Sequence, residues 1–246
     1  MEEETQTIQT IQNDMIVEMA RAGVVFGHKK SKTHPHMKSY IGGNKNDIEF
    51  IDPEATFVSL QAASAFLKEK TKKGGLMLMV GTNSPAKEPI ETFAETFSFP
   101  YVTKRWLGGT LTNFSVISDR LKYFEALKAK KEKGELDKYT KKERQEFDKD
   151  IGKMTQSFGG LVKLSRLPDV VFIVDVKKHN TAVSEANKLK IPIVAILDTD
   201  DDPSVIQYPI FANDHNKQSI EWILAKIIEE IKSETNTKEE EKKEEK

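Results

Sequence analysis

Cysteine is absent from the 246 residues. That excludes disulfide staples, thiol nucleophiles and thiolate metal sites, and it fits a reducing compartment. Long apolar runs are missing as well. No stretch approaches the roughly 20 residues that a membrane-spanning helix needs, and the N-terminal "MEEETQTIQTIQ" is acidic and polar where a secretory signal would be basic and then apolar. The expectation is a cytoplasmic protein without a membrane partner.

Catalytic signatures are equally scarce. There is no G-x-S-x-G elbow for a serine nucleophile. The segment "VGTNSPAKEP" occupies the place where an α/β enzyme keeps its phosphate loop. It lacks both the G-K-[ST] ending and the three-glycine dinucleotide fingerprint. "DTDDDPSVIQYP" sets Asp198, Asp200 and Asp202 at alternate positions, but Pro203 and Pro209 stand where a calcium loop requires glycine and a bidentate glutamate. A magnesium pocket there, at the C-terminal end of a strand, stays open. His28, His34 and His36 could converge on a transition metal, yet only three ligands are local, and Pro35 extends the chain so that neighbours point to opposite sides. The sequence reading therefore assigns no catalytic residue, no cofactor and no metal.

What is present is charge, and it is segregated. The formal net charge is only -1. Residues 1–20 nevertheless carry five acids and no base, whereas Arg21 to Asn46 carry six bases and no acid. Two further acid-free runs follow, "TFSFPYVTKRWLGGTLTNFSVIS" and "IGKMTQSFGGLVKLSRLP". Basic surfaces on a neutral chain suggest a polyanion facing part of the molecule, although each run alone also reads as a solvated face. In the second run Trp106 follows Lys104 and Arg105 and precedes Gly108 and Gly109. An indole there could stack on a base, or it could anchor the chain; both readings stay open.

Apolar runs without alternation, "LMLMVG", "DVVFIVDV" and "IPIVAILD", predict strands buried on both faces, and the amphipathic segments between them predict crossover helices. The fold class is α/β, a doubly wound parallel sheet. "YIGGNKNDIEFID" predicts a β-hairpin through its glycines and asparagines. About fifty residues before "DVVFIVDV" hold no strand-like run. Phe114, Ile117, Leu121 and Phe124, then Phe147, Ile151, Met154, Phe158 and Leu161, follow helical spacing, with a glycine turn at Gly134 and a capping box from Thr140 to Glu143. This predicts an antiparallel helical hairpin at 112–167, inserted into a globular domain made of 1–111 and 168–232. The segment 233–246 has no apolar residue and predicts a disordered charged tail.

The motifs "GVVFGH", "HPHMKSYI", "RWLGGTLTNF", "LPDVVFIVDV", "AVSEANKLKIPIVAILDT" and "YPIFAND" resemble, in order and spacing from about Asp14 to Ile231, the bacterial branch of the family of the second small-subunit ribosomal protein. The resemblance implies a Rossmann-like (flavodoxin-like) domain with a protruding coiled-coil hairpin, bound to 16S ribosomal RNA at the junction of head and body. It further implies contacts with other small-subunit proteins and help in recruiting the messenger-binding ribosomal protein one. The RNA-binding residues it suggests are His28, Lys29, Lys30, Lys32, His36, Lys38, Lys104, Arg105, Trp106, Thr110 and Asn113. Where the family commonly carries an Arg-Arg pair this chain has Lys30 to His34, and lysine lacks the guanidinium fork. Asp200 and Asp201 stand where Asn and Cys are frequent, and His215 where aspartate is common. The competing expectations are a phosphate-handling α/β enzyme built on "GTNSPAKE" and "DTDDDP", and a protein-only interaction module.

Overall fold

The structure, a computed structural model, describes residues 14–244, with side chains described as far as residue 233. Residues 14–22 are helical (α1). A small antiparallel sheet follows, in the order β1-β3-β2, made of β1 (Phe26–Lys29), β2 (Ile41–Lys45) and β3 (Ile48–Ile51). The β2–β3 hairpin turns at Asn46 and Asp47, both with positive φ. Asparagine and aspartate tolerate that left-handed conformation, which a two-residue hairpin loop requires. The expected hairpin is thus present. Its turn falls on these two residues, however, and Gly42 and Gly43 lie within β2.

The main sheet is parallel. Its strands are β4 (Met77–Val80), β5 (Tyr101–Val102), β6 (Val170–Val174), β7 (Ile193–Leu197) and β8 (Tyr208–Phe211), in the order β5-β4-β6-β7-β8. This is the flavodoxin-like order, with its switch point between β4 and β6. Every residue of β4, β6 and β7 is buried, as expected for strands covered on both faces. Sequence periodicity passed over β8, because Pro209 interrupts its apolar run. The strand lies at the sheet edge, where a missing amide costs no ladder bond.

Alternation along the strands sorts the core into two layers. Met77, Met79, Phe172, Val194 and Ile196 face α1, α2 (Pro53–Lys72), α3 (Ser84–Phe97) and α7 (Lys217–Glu244). Leu78, Val80, Val171, Ile173 and Ala195 face α6 (Asn180–Lys188) and the two helices α4 (Phe114–Glu132) and α5 (Lys141–Phe158). Asp52 caps α2 by accepting from Glu54 N at 3.0 Å, with Pro53 preset for the first turn. The capping box of α5 is formed: Thr140 N donates to Glu143 Oε2 at 2.9 Å, and Glu143 N donates back to Thr140 Oγ1 at 3.4 Å. The helix α7 continues to Glu244, through the segment where a disordered tail was expected. A Glu- and Lys-rich stretch has high helix propensity and prolongs a helix that is already nucleated; residues 245 and 246 lie outside the described residues.

The helices α4 and α5 pair as a hairpin through Lys131–Asp148 at 2.7 Å, and Tyr139 of the connecting turn packs edge to face on Phe147. The pair is also the β5-to-β6 crossover, and its base is core. Ile117, Leu121, Phe124, Phe158 and Leu161 are buried in the same cluster as the sheet. At roughly 1.5–3 kcal/mol for each buried side chain, these five contribute on the order of 10 kcal/mol, as much as the whole net stability of a typical domain. Excision of 112–167 is therefore expected to abolish the cooperative melt followed by circular dichroism. Replacing only 128–150 with a short glycine linker should leave a cooperative melt, lowered by roughly 2–4 °C for each kcal/mol lost.

Candidate nucleic-acid interface

The basic stretch leaves the small sheet at Lys29, makes a 3-10 turn at Lys30–Lys32 and then a 3-10 helix at Pro35–Tyr40. Backbone bonds fix its course. His28 N donates to Thr199 Oγ1 at 2.9 Å, His34 N to Thr199 O at 2.8 Å and Lys30 N to Asp47 O at 2.9 Å. At Gly27 a β-carbon would come within 2.4 Å of Thr199 Cγ2, so only glycine allows β1 to approach the loop after β7. Met37, fully buried, plugs the underside of the loop into the second core layer.

This anchoring sorts the side chains by type. Lys29, Lys30, Lys32 and Lys38 are exposed, and among the described residues none of them forms an ion pair. The histidines turn inward or toward acids. His28 is half-buried, with Nδ1 3.1 Å from Asp198 Oδ2 and 3.6 Å from Asp200 Oδ1. Asp198 beside it raises the imidazole pKa, outweighing burial. His36 Nδ1 lies 3.0 Å from Asp202 Oδ1, and His34 Nδ1 3.9 Å from the same atom. Slight burial works against Asp202, yet the Ser204 hydroxyl and His36 hold its carboxyl down to about 2. Of the loop residues suggested as RNA contacts, the lysines face solvent, while the rings of His28 and His36 engage acids.

The second basic run is organised by a residue that sequence reasoning missed. Glu185 of α6, only 7% exposed, accepts five hydrogen bonds from one turn. The donors are Trp106 Nε1 (3.0 Å), Gly109 N (2.8 Å), Leu111 N (3.0 Å), Thr112 N (3.1 Å) and Thr112 Oγ1 (3.2 Å). Burial pushes its pKa up, but the bonds from Trp106, Leu111, Thr112 and Gly109 overcome this and leave it lowered. One available signal was a lone glutamate among Ala182, Val183 and Ala186 on the inward face of a short helix. Trp106 is half-buried against the second core layer, so its ring and its N–H serve the fold. Thr110 is fully buried and donates to Leu107 O at 2.6 Å. Asn113, exposed, precedes α4 without a side-chain cap. Lys104 and Arg105 project from this turn, exposed and with no ion pair among the described residues.

Both basic elements sit at the C-terminal edge of the parallel sheet. One lies beyond β7 and the other beyond β5, three strand spacings or roughly 14 Å apart. The crevice between β4 and β6, where α/β enzymes bind ligands, is filled by the chain itself. Thr82 N donates to His179 Nε2 at 3.3 Å, His179 Nδ1 donates to Asp175 O at 2.7 Å, and Asn83 bridges Asp175 and Lys178. Burial lowers the pKa of His179. A cleft of about 560 Å³ opens instead between the Lys104–Arg105 turn and the hairpin base, with Lys128 and Thr155 on its far wall. Among the described residues, no helix is long and apolar enough to cross a membrane.

Known proteins resemble this chain. The family model of ribosomal protein S2 matches residues 19–233. The small ribosomal subunit protein uS2 of Dictyoglomus turgidum is 43% identical over 217 residues, covering 88% of each chain. That of Coprothermobacter proteolyticus is 39% identical over 214 residues, 87% of this chain and 80% of the relative. The protein of the same name from Rhodopirellula baltica is 40% identical over 219 residues, 89% and 84% respectively.

The Glu185 cluster yields a stability prediction. Glu185→Gln replaces one acceptor oxygen with a donor facing backbone amides, and should destabilise the fold by roughly 2–3 kcal/mol in denaturant titrations at neutral pH. Because its folded pKa is lowered, the stabilisation by Glu185 is complete above the unfolded value of 4.5 and fades as pH falls through the lower folded one. The gap between wild type and Glu185→Gln should therefore close in acid.

Proposed function

Because the chain belongs to the ribosomal protein S2 family, a structural component of the small ribosomal subunit and not an enzyme, we propose that its two basic elements bind 16S ribosomal RNA at the junction of head and body. The observation that carries this reading is the sorting of side chains on the loop. Lys29, Lys30, Lys32 and Lys38 are held outward with no ion pair among the described residues while the neighbouring histidines engage acids, so their charge is available to phosphate. Lys104 and Arg105 form the second contact. Arg105 is the residue suited to bridge two phosphate oxygens.

In this reading His28, Trp106 and Thr110 support the contact surface from beneath, whereas His36 and Asn113 lie at its rim. The cleft beside Arg105, lined by Lys104, Arg105 and Lys128 and also by Glu91, Glu125 and Glu132, lies between this contact and the hairpin. The distal hairpin, where Lys131 pairs with Asp148, offers a lever for neighbouring ribosomal proteins. Recruitment of the messenger-binding ribosomal protein one, and a cytoplasmic location on the ribosome, complete the proposal.

The test is assembly. A Lys29→Glu, Lys30→Glu, Lys32→Glu variant should keep its melting temperature and lose occupancy in small subunits isolated by sedimentation; normal occupancy would refute the loop contact. Wild-type affinity for an isolated RNA should fall with salt by about 0.7–0.9 powers for each phosphate neutralised, and the variant's slope should be shallower. Arg105→Ala should weaken RNA binding by roughly 1–3 kcal/mol with little change in stability. Trp106→Ala, by contrast, should cost about 3 kcal/mol of folding, since its ring packs on the core.

A further inference from the structure

The cleft of about 560 Å³ beside the Lys104–Arg105 turn carries both signs of charge, and they do not neutralise each other. Its walls are β5, the second half of α4 and the end of α5. Lys104, Arg105 and Lys128 line it together with Glu91, Glu125 and Glu132, and among the described residues none of the six forms an ion pair. Both charges are therefore available to a ligand that carries complementary groups at separate places. The volume falls within the roughly 300–1,000 Å³ of small-molecule sites.

Glu91 is the acid with a fixed position. It is half-buried on α3, and Thr103 Oγ1, on a residue only 5% exposed, donates to its Oε1 at 2.6 Å. A carboxylate offers about four lone-pair sites, so this bond orients Glu91 and leaves acceptors free. Tyr101 stands beside it, half-buried; burial and the charges of Glu91 and Glu95 push its phenol pKa up, and the hydroxyl stays a donor. Gly160 packs so closely on Tyr101 that a β-carbon there would lie 2.3 Å from the tyrosine carbonyl oxygen and 2.7 Å from its ring, which holds the ring in the cleft wall.

A ligand for this cleft needs adjacent donors for the carboxylate and negative charge for the three bases. Of the four RNA bases, only guanine presents neighbouring donors, N1–H and N2–H, on its Watson–Crick edge. Adenine and cytosine set one amino group beside a bare ring nitrogen that repels a carboxylate, and uracil flanks its N3–H with carbonyl oxygens. We propose that the cleft binds a guanine nucleotide, with Glu91 reading the N1–H and N2–H edge, Tyr101 beside the base, and Lys104, Arg105 and Lys128 on the phosphate. Two sources carry this chemistry. One is an unstacked guanosine of RNA, read on its Watson–Crick edge, and for that source the proposal rests on the RNA-binding reading above. The other is a free guanosine phosphate.

The experiment uses the full chain, titrated with GMP, IMP, AMP and CMP and followed by two-dimensional NMR, which reads weak affinities. GMP should bind saturably and shift the amides of Tyr101, Thr103 and Gly160. IMP, which lacks the N2 amino group, and AMP should each bind roughly 10-fold more weakly, the scale of losing a base-edge contact. Glu91→Gln keeps an acceptor for Thr103 but turns a donor toward guanine, and should lose roughly the same 10-fold at an unchanged melting temperature. The IMP comparison needs no variant and keeps the test decisive if Glu91→Gln fails to fold. Tighter binding of the pentanucleotide UUGUU than of GMP, with UUAUU weak, marks an RNA guanosine as the source; tighter binding of GDP and GTP than of GMP or UUGUU marks a free nucleotide. Absence of GMP binding, equal binding of GMP and AMP, or GMP affinity unchanged in Glu91→Gln overturns the proposal. The Lys29→Glu, Lys30→Glu, Lys32→Glu variant should keep its GMP affinity. A chain that enters small subunits yet binds no GMP refutes the guanine cleft alone, and one that binds GMP but no RNA refutes only the RNA contact.

Discussion

One buried carboxylate governs the face that the molecule presents beyond β5. Glu185 gathers three backbone amides, a hydroxyl and an indole N–H from a single turn, and these bonds satisfy its charge in a nearly solvent-free site. The turn in consequence is rigid. Its rigidity sets where Lys104 and Arg105 project, and it aims the first residues of α4 back across the sheet. A surface that must match a fixed polyanion gains from such preorganisation, because little ordering entropy remains to be lost on binding.

The other basic element reaches the same end by a different route. Close approach at Gly27, two bonds to Thr199 and the buried Met37 lock the loop against the sheet edge. The acids beneath it hold the histidines, so positive charge is stratified: imidazoles below, ammonium groups above. Near neutrality of the whole chain conceals this layering. It also explains how a protein with a net charge of -1 can carry a strongly basic face.

The crossover hairpin joins these features to the core. In an ordinary doubly wound domain a single helix would cover the sheet between β5 and β6. Here the proximal halves of α4 and α5 do so together, while their distal halves extend into solvent with mutual ion pairing. Stability and reach are thus divided along the same pair of helices. This division is also why the boundaries at 112 and 167 cut through the core: periodicity reveals that a stripe is apolar but not which partner it meets.

Much was legible from residues alone. Unbroken apolar runs determined three buried parallel strands, Thr140 and Glu143 determined the start of α5, and the acid-free runs determined where anionic partners should be sought, because these properties depend on neighbours in the chain. Tertiary structure decided the rest. Whether His28 faces solvent or Asp198, and whether Trp106 stacks outward or donates to Glu185, depend on residues 170 and 79 positions away. No local pattern encodes such distances; they arise only when the parallel sheet brings the ends of β5, β6 and β7 to one edge, where a buried charge must find its partners or pay the cost of desolvation.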